Sequence, residues 1–291
     1  GKLYSLVYGR LASVAVDPVE KKPLYNFMPG TNCLSIATLG CNFACRQCQN
    51  YEISQADPEK IEVPFASPEE VVRQALDEGC EGIAYTYIEP TIFFEYAFDI
   101  MKLARKKGLY NAWVTNGYMN AGVVDELKGF CDASNIDLKG DKKFYEKIVG
   151  GANVDFVKEN IRLHFEKGIH IELTNLIIPG LNDKPRQLKE LVDFVASVSK
   201  DLPLHFSRFF PAYKLLDVKP TELAVLEHAY QLARKAGLKY VYVGNAGVGH
   251  NNTYCPECAS LLIERKGHSA FVKGLKDSAC MKCGFKTGIE R

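Results

Sequence analysis

The middle of the chain alternates short β-rich runs with helical segments, and this alternation limits the fold more than any other feature. The candidate strands are residues 34–38, 82–87, 110–115, 133–138, 169–178, 202–209 and 239–244. One intervening segment, SPEEVVRQALDEG, has Ser67 as an N-cap, Pro68 at the first helical position and Glu70 to close a capping box. Seven strand–helix alternations predict a parallel α/β barrel or a doubly wound sheet.

The pattern changes after residue 245. The remaining segment, AGVGHNNTYCPECASLLIERKGHSAFVKGLKDSACMKCGFKTGIER, has no long amphipathic period. Some 40 residues bury too little apolar surface to be stable alone, so a metal or another cross-link is expected there. The sequence therefore predicts an N-terminal segment over 1–32, a barrel domain over 33–245 and a small metal-binding module over 246–291.

Composition disfavours several classes of partner. The 36 basic and 35 acidic residues leave a formal net charge of +1, which gives no global attraction to nucleic acids. No apolar run approaches the ~18 residues that span a bilayer, and the first residues lack the apolar core of a signal peptide. We therefore expect a cytoplasmic protein without a membrane partner. Gly1 in place of an initiator Met predicts a processed or truncated start.

Most of the ten cysteines are clustered. Three lie within residues 41–48 and four within residues 255–283. Closely spaced cysteines in a chain without an export signal favour metal ligands over disulfides. This cysteine usage predicts a reducing, cytosolic compartment.

The first cluster, LGCNFACRQCQN, places Cys41, Cys45 and Cys48 on one loop directly after the first candidate strand. A structural zinc site requires four protein ligands. Three thiolates hold three irons of a [4Fe–4S] cluster and leave the fourth iron open to an outside ligand. The loop lies at the carboxyl end of a strand, where α/β barrels build their active sites. A partial zinc site or a group of packing thiols is the alternative.

Polar side chains alternate along the later strands. The sets that share a face are Tyr85, Tyr87 and Glu89; Asn135, Asp137 and Lys139; His170, Glu172 and Thr174; and His205 with Ser207. Polar residues on one face and apolar residues on the other fit a barrel lumen that holds a polar cofactor. Asp137 and Lys139 could instead form a surface pair, and Glu89 could be a carboxylate favoured by a helix start. His205 is more readily explained as a core residue.

The three-cysteine run resembles the signature of the radical S-adenosylmethionine (SAM) superfamily. Together with YTYIEPTIFFEY, VTNGY, IDLKG, IIPGLND and TYCPEC, it follows the order typical of the AmmeMemoRadiSam radical SAM enzyme family, which is homologous to pyruvate formate-lyase-activating enzymes. The resemblance covers essentially the whole chain. It implies an α/β fold: a partial parallel (β/α)6 barrel of radical SAM type with a small C-terminal metal-binding module.

The resemblance also implies an activity. In this superfamily the open iron binds the amino and carboxylate groups of SAM, and one electron cleaves SAM to methionine and a 5′-deoxyadenosyl radical that abstracts hydrogen from a substrate. The chain would then be a radical SAM oxidoreductase with Cys41, Cys45 and Cys48 as its catalytic ligands. The implied partners are a one-electron donor, such as flavodoxin or ferredoxin, and a protein substrate.

The same resemblance implies contacts to SAM. Glu89 would meet the SAM amine, and Thr115 and Asn116 would lie beside its carboxylate. An Asp in the strand of Asp137 helps the activating enzymes to bind a monovalent cation near that carboxylate. The candidate cofactor residues are Tyr87, Glu89, Thr115, Asn116, Asp137, Lys139 and Thr174.

The second cysteine cluster consists of two C-x2-C pairs, Cys255 with Cys258 and Cys280 with Cys283. Four thiolates at this spacing predict a closed, structural tetrahedral site. Zinc is the first expectation, and mononuclear iron or an auxiliary Fe–S cluster is the second. Disulfides are the remaining alternative, and they conflict with a reducing compartment.

Two functions from different classes fit these patterns. One is the radical SAM enzyme, which could activate a glycyl radical protein by abstracting a glycine α-hydrogen. A small molecule, a modified peptide and a nucleic-acid base are its alternative substrates. The other is a zinc-ribbon protein that binds RNA or a protein on an α/β scaffold without catalysis. The three-ligand loop favours the enzyme, because a zinc-only scaffold has no reason to leave a ligand position open.

Overall fold

The computed structural model describes residues 4–247 and 249–291. Residues 1–3 of the predicted N-terminal segment and residue 248 of the predicted module lie outside the described residues. The centre is an eight-stranded sheet whose strands follow one another in chain order. The first strand, β1 (Ser13–Pro18), is antiparallel to its neighbour.

The other seven strands of this sheet run parallel to one another. They are β2 (Asn32–Ala37), β3 (Gly82–Tyr85), β4 (Tyr110–Thr115), β5 (Ala133–Asp137), β6 (His170–Ile177), β7 (Leu204–Arg208) and β8 (Val241–Gly244). Within the described ranges no ladder joins β8 to β1, so the barrel is not closed. The predicted partial parallel barrel is confirmed, with β8 as a seventh parallel strand.

Helices alternate with these strands. They are α1 (Tyr51–Ser54), α2 (Pro68–Asp77), α3 (Phe94–Lys106), α4 (Ala121–Leu127), α5 (Lys142–Phe144), α6 (Val154–Glu166), α7 (Pro185–Val198) and α8 (Leu223–Lys235). The predicted capping box of α2 is present, because the Ser67 hydroxyl accepts from the Glu70 amide at 3.2 Å and the Glu70 carboxylate accepts from the Ser67 amide at 2.8 Å. In the described residues, no helix is both long and apolar enough to cross a membrane.

The predicted alternation fails at one point of β3. Tyr85 is fully buried, donates its hydroxyl hydrogen to Asn111 Oδ1 at 3.0 Å and packs on Trp113 in the main core. β3 ends at Tyr85, and Tyr87 has a φ of +67°. Because the strand geometry ends between them, the prediction that Tyr85 and Tyr87 share a face is wrong.

The N-terminal segment reaches the inner face of the sheet. It passes from β1 through a 3-10 turn, Val19–Lys21, into a buried stretch. Asn135 of β5 donates its side-chain amide to Pro23 O at 2.8 Å, and Glu172 of β6 accepts from the Asn26 amide at 2.6 Å. The segment therefore closes the lumen near the amino ends of β5 and β6.

A buried ionic network lies under the lumen. Glu172 accepts from His205 at 2.7 Å and pairs with His170 at 3.2 Å, and His170 also pairs with Glu290 at 3.2 Å. Burial alone would raise the pKa of Glu172, but hydrogen bonds from both histidines lower it to about 2. Burial alone would lower the pKa of His170, but its two carboxylate partners raise it to about 9. His205 has the character of a core residue, as expected.

This network predicts a pH-dependent stability. Because folding raises the pKa of His170, the stabilisation is complete below about pH 6.5 and is lost as the pH rises through about 9. We expect the loss of unfolding free energy caused by His170→Gln to shrink by roughly 2 kcal/mol between about pH 6.5 and pH 9.5. Urea titrations at both pH values measure it, with the exposed His228→Gln as the control. An equal loss at both pH values would contradict the assignment.

The C-terminal residues form two small antiparallel sheets. One contains β9 (Thr253–Tyr254), β10 (Leu261–Lys266) and β11 (Ser269–Val272), and the other β12 (Leu275–Lys276) and β13 (Ala279–Cys280). Leu262, Ile263, Leu275 and Ile289 pack around the cysteines. The last residues return to the N-terminal segment, where the Glu290 amide donates to Asn26 O at 2.9 Å. The domain boundaries at 32 and 245 stay a prediction.

Candidate active site

The three-cysteine loop connects β2 to α1 at the carboxyl edge of the sheet. Backbone hydrogen bonds fix its outer side, because the Ala44 amide donates to Val149 O at 3.1 Å and the Arg46 amide to Ile148 O at 2.9 Å. Val149 and Ile148 belong to a π-helical turn, Tyr145–Val149. A turn of this kind is rare and is frequent at functional sites. The loop is therefore held from outside, and its thiols border a cavity.

One cavity of about 890 Å³ brings the predicted residues together. Its lining includes all three cysteines of the loop and all seven candidate cofactor residues: Cys41, Cys45, Cys48, Tyr87, Glu89, Thr115, Asn116, Asp137, Lys139 and Thr174. Sequence positions from 41 to 174 thus meet because β2 to β6 are neighbours in the sheet. Their individual roles stay a prediction.

Glu89 is a carboxylate of this wall that is only 1% exposed. It is the N-cap of a 3-10 turn, Pro90–Phe93, and accepts from the Thr91 amide at 3.1 Å. It also accepts from the Thr115 hydroxyl at 2.9 Å and from the Asn116 amide at 2.7 Å. Burial raises the pKa of Glu89, and these hydrogen bonds oppose the rise. The carboxylate therefore both starts a helix and joins β3 to the turn after β4.

The turn after β4 also contacts the cysteine loop. Asn116 donates its side-chain amide to Asn42 Oδ1 at 2.7 Å, and Asn42 follows Cys41 directly. Gly117 has a φ of +72°, and a Cβ there would lie 2.8 Å from a methyl of Ile136. The Asn-Gly dipeptide is therefore required both by the turn and by the close approach of β5.

Asp137 and Lys139 form an ion pair at 2.6 Å on the cavity wall. Burial alone would lower the pKa of Lys139, but the charges of Asp137 and Cys45 and the hydrogen bond to Asp137 together raise it. The Lys139 side chain is 16% exposed. The Asp137 side chain is 37% exposed, so the pair is half-buried on the cavity wall, and its contact with a cofactor stays a prediction.

Several residues in and beside the cavity give no local signal in the sequence. Asp17 of β1 accepts from Lys22 at 2.7 Å, from Lys21 at 2.6 Å and from the Tyr87 hydroxyl. Burial alone would raise the pKa of Asp17, but these hydrogen bonds hold that pKa well below its usual range. Lys22 is 2% exposed, and its ammonium lies 4.6 Å from the centre of the Tyr87 ring. Arg265 of β10 lines the same cavity.

The four C-terminal cysteines have the spacing of a single-ion site. Cys255 Sγ and Cys283 Sγ lie 3.6 Å apart, and Cys258 Sγ and Cys280 Sγ 3.7 Å apart. Four sulfurs about 2.3 Å from one tetrahedral ion are about 3.8 Å apart. Within the part of the chain that the structure describes, these four are the group whose ligand atoms all lie within 4.8 Å of one another. The geometry fits one ion with four thiolates.

A family model described as the radical SAM superfamily matches residues 35–195, more than half of the chain. The chain belongs to the radical SAM superfamily. Membership implies an enzyme that uses SAM and a [4Fe–4S] cluster, which disfavours the non-catalytic zinc ribbon.

The chain is also similar to individual proteins. An uncharacterized protein from Methanocaldococcus jannaschii is 45% identical, over 99% of this chain and 87% of its own length. A pyruvate formate-lyase-activating enzyme from Clostridium pasteurianum is 24% identical, over 62% of this chain and 81% of its own length. The crystal structure of a radical SAM methyltransferase from Sphaerobacter thermophilus shares the fold, with a TM-score of 0.57 at 16% identity over 75% of this chain and 67% of that chain.

The cysteine loop of this radical SAM protein fits a cluster better than a single ion. Cys41, Cys45 and Cys48 are free thiols, and among the residues that the structure describes their sulfurs do not all lie within 4.8 Å of one another, as those of the four C-terminal cysteines do. A cube of four irons holds its thiolates farther apart than one ion does. Burial raises the pKa of Cys45 to about 11, so binding iron there must release a proton.

Glu89 gives a direct test of the predicted SAM contact. A charge-assisted hydrogen bond from the SAM amine would contribute ~1.5–3 kcal/mol. Glu89→Gln keeps the size of the side chain and removes its charge, so we expect SAM affinity to fall by on the order of tenfold or more. SAM titration of the anaerobic, cluster-loaded variant measures this change.

A matched control separates a SAM contact from a purely structural role. Thr91→Val removes one hydroxyl donor from Glu89 and leaves its charge. It should keep SAM affinity, or raise it, because the SAM amine would no longer compete with that hydroxyl. If Glu89→Gln keeps its cluster and binds SAM as tightly as the parent protein, Glu89 has only a structural role, as a helix cap and as an acceptor for the turn after β4.

Proposed function

We propose that this radical SAM enzyme abstracts an α-hydrogen from a glycine of a partner protein and so acts as an activating enzyme for a glycyl radical protein. The observation that supports the proposal most is the shared cavity, in which the three-cysteine loop and the seven candidate SAM residues meet. The similarity to a pyruvate formate-lyase-activating enzyme favours glycine over other hydrogen donors.

The bound cluster and SAM would supply one-electron cleavage of SAM and the 5′-deoxyadenosyl radical that removes hydrogen. The chain itself would hold and orient these groups. Cys41, Cys45 and Cys48 would hold three irons, and Glu89 would orient the SAM amine. Thr115 and Asn116 would position the SAM carboxylate.

The remaining residues would shape the rest of the pocket. Tyr87, Asp137, Lys139 and Thr174 would border the SAM nucleoside and the substrate. Lys139 would also place a positive charge beside the cysteine thiolates. A cavity of about 890 Å³ lies near the upper end of the ~300–1,000 Å³ range of ligand pockets, so it leaves room beside SAM.

The surroundings of the enzyme follow from the same proposal. A small one-electron carrier such as flavodoxin or ferredoxin would reduce it, in a reducing, cytoplasmic compartment. Zinc at the four C-terminal cysteines would stabilise the module over 246–291. The N-terminal segment over 1–32 would pack on the barrel over 33–245.

Deuterium transfer tests the substrate. The anaerobic, reduced enzyme and SAM are incubated with an extract of the source organism grown on α-deuterated glycine. We expect 5′-deoxyadenosine to gain one mass unit, and this gain should disappear when the extract is first digested with protease. SAM cleavage that yields only unlabelled 5′-deoxyadenosine would exclude glycine as the hydrogen donor. A label that survives proteolysis would indicate a small molecule.

A further inference from the structure

His205 of β7 belongs both to the core and to the cavity wall. It is 3% exposed, and its ring centre lies 4.7 Å from that of Tyr25 and 5.0 Å from that of Tyr242. It also lines the cavity, as does Ser207 two residues farther along the strand. The imidazole is therefore held by aromatic packing and still borders the space that SAM and the substrate would occupy.

Glu172 fixes the tautomer of His205. Burial alone would raise the pKa of Glu172, but hydrogen bonds from two histidines lower it to about 2, so its carboxylate is ionised and only accepts hydrogen bonds. His205 Nε2 lies 2.7 Å from Glu172 Oε2, so Nε2 carries the hydrogen of this bond. In a neutral imidazole the other nitrogen, Nδ1, then has a free lone pair and is an acceptor.

The charge of Glu172 is balanced without a proton on Nδ1 of His205. The other carboxylate oxygen, Oε1, accepts from the Asn26 amide at 2.6 Å and from His170 at 3.2 Å. Burial alone would lower the pKa of His170, but its two carboxylate partners raise it to about 9, so His170 is positively charged at neutral pH. A like charge on the same carboxylate would be repelled, which favours the neutral form of His205.

Nδ1 of His205 has no partner in the described part of the chain. Among residues 4–247 and 249–291, no side-chain or backbone group forms a hydrogen bond with it, and it is not one of the fully buried polar atoms that lack a partner there. Nδ1 thus keeps accessible surface, and the cavity is the space that His205 borders. An unpaired acceptor at this place is available to a donor on a bound molecule.

The strand registers place His205 at the depth of the predicted SAM site. Asp137 of β5 pairs with Thr174 of β6, and Thr174 pairs with His205 of β7. Neighbouring strands lie ~4.8 Å apart, so His205 is about 10 Å along the sheet from Asp137. All three residues line the cavity. The acceptor therefore lies beside the candidate SAM residues, where a substrate next to SAM would reach it.

We propose that Nδ1 of His205 accepts a hydrogen bond from an N–H or O–H group of the substrate and so orients the carbon that loses hydrogen. A fixed donor next to that carbon reduces the number of orientations in which the carbon meets the radical. The proposal rests on the proposed function: in a protein substrate the donor would be the backbone amide of the reacting glycine. In a small-molecule substrate it would be a hydroxyl or amino group.

Nitrogen NMR tests the tautomer without a substrate. The enzyme, with its oxidised cluster, its C-terminal metal and SAM bound, is labelled with heavy nitrogen in its six histidines. The signals of His205 are those that the His205→Gln variant lacks. We expect a proton on Nε2 and none on Nδ1 at neutral pH. A proton on Nδ1, alone or together with one on Nε2, would overturn the proposal.

Two amide variants separate a substrate contact from a structural role. His205→Gln can still donate to Glu172 from the position of Nε2, but it loses the acceptor at Nδ1. His205→Asn keeps an amide near the position of Nδ1 and loses the bond to Glu172. A histidine with only a structural role would therefore be replaced better by Gln, and a histidine that binds the substrate through Nδ1 better by Asn.

Deuterium transfer measures the substrate contact. Each reduced variant is incubated with SAM and an extract of the source organism that was grown in fully deuterated medium and returned to ordinary water. We expect His205→Gln to keep its unfolding midpoint and to lower the deuterated fraction of 5′-deoxyadenosine by roughly three- to tenfold, the effect of one lost hydrogen bond. His205→Asn should lose more stability and keep more of the label.

The matched control is His228→Gln, because His228 is exposed on α8 and does not line the cavity. If His205→Gln labels 5′-deoxyadenosine as efficiently as this control, the role of His205 is structural and the proposal fails. Deuterium from this extract but none from the extract with α-deuterated glycine would overturn the glycine substrate alone. If the parent protein takes up no deuterium from either extract, the proposed function fails and the NMR result decides on His205.

Discussion

Replacing Cys45 by Ala is expected to abolish reductive cleavage of SAM. Three thiolates on one loop are the minimum that holds a [4Fe–4S] cluster with one open iron, so the loss of one removes the cluster or its reactive geometry. Replacing residues that only support metal ligands already lowers metal affinity or activity by ~10–100-fold. The loss of a ligand itself should lower activity by more than that. The measurement is 5′-deoxyadenosine formation by the anaerobic, reduced variant, together with its iron and sulfide content.

Cys80→Ala is the matched control for this experiment. Cys80 is 5% exposed and lies between α2 and β3, away from the cavity lining. It should keep both the cluster and full cleavage. A Cys45→Ala variant that cleaves SAM as fast as the Cys80→Ala variant would remove the three-cysteine loop from the chemistry.

Replacing Cys258 by Ala should cost the C-terminal module its metal and its stability. The four sulfurs are already at single-ion spacing, and the apolar cluster around them contains few residues. The free energy of metal binding to such a small module contributes directly to its folding. For zinc sites in isolated fingers this free energy is of the order of 10 kcal/mol. We therefore expect a large loss of thermal stability and one metal ion fewer per chain, measured by denaturation and elemental analysis.

The control lies in the same C-x2-C pair. Lys282 stands between Cys280 and Cys283, is exposed and is not a ligand, so Lys282→Ala should retain the metal and the stability. Full metal content and an unchanged midpoint for Cys258→Ala would contradict the four-thiolate site. If elemental analysis finds iron instead of zinc, the predicted metal is wrong and the four-thiolate site stands.

Local patterns predicted the parallel strands and the capped helices because both depend on neighbours in the sequence. Ser67 and Glu70 cap α2 within four residues, and the apolar runs of β2 to β8 are short and well separated. β1 was not predicted. Its solvent-facing residues Val14 and Val16 are apolar. The strand therefore lacks the alternation of polar and apolar residues by which a half-buried edge strand is recognised in a sequence.

Long-range pairs explain what the sequence left unpredicted in the site. Lys21 and Lys22 belong to a charged run that resembles a solvated turn, yet Lys22 is buried because Asp17 and Tyr87 meet it in the fold. Arg265 comes from the metal module and reaches Tyr25 O, 240 residues away in the chain. No local period marks such contacts. The three cysteines could be identified because a ligand count is a local feature, whereas the predicted contact of Glu89 with the SAM amine rests on the family resemblance.

The amount of 5′-deoxyadenosine formed by the intact protein is the most direct test of radical SAM activity. The anaerobically reconstituted protein should contain about four irons and about four sulfides in addition to its C-terminal metal. After reduction it should convert SAM to 5′-deoxyadenosine and methionine in equal amounts, and omission of the reductant should stop the reaction. A protein that carries zinc in both cysteine clusters, takes up no iron or sulfide and leaves SAM uncleaved would contradict it.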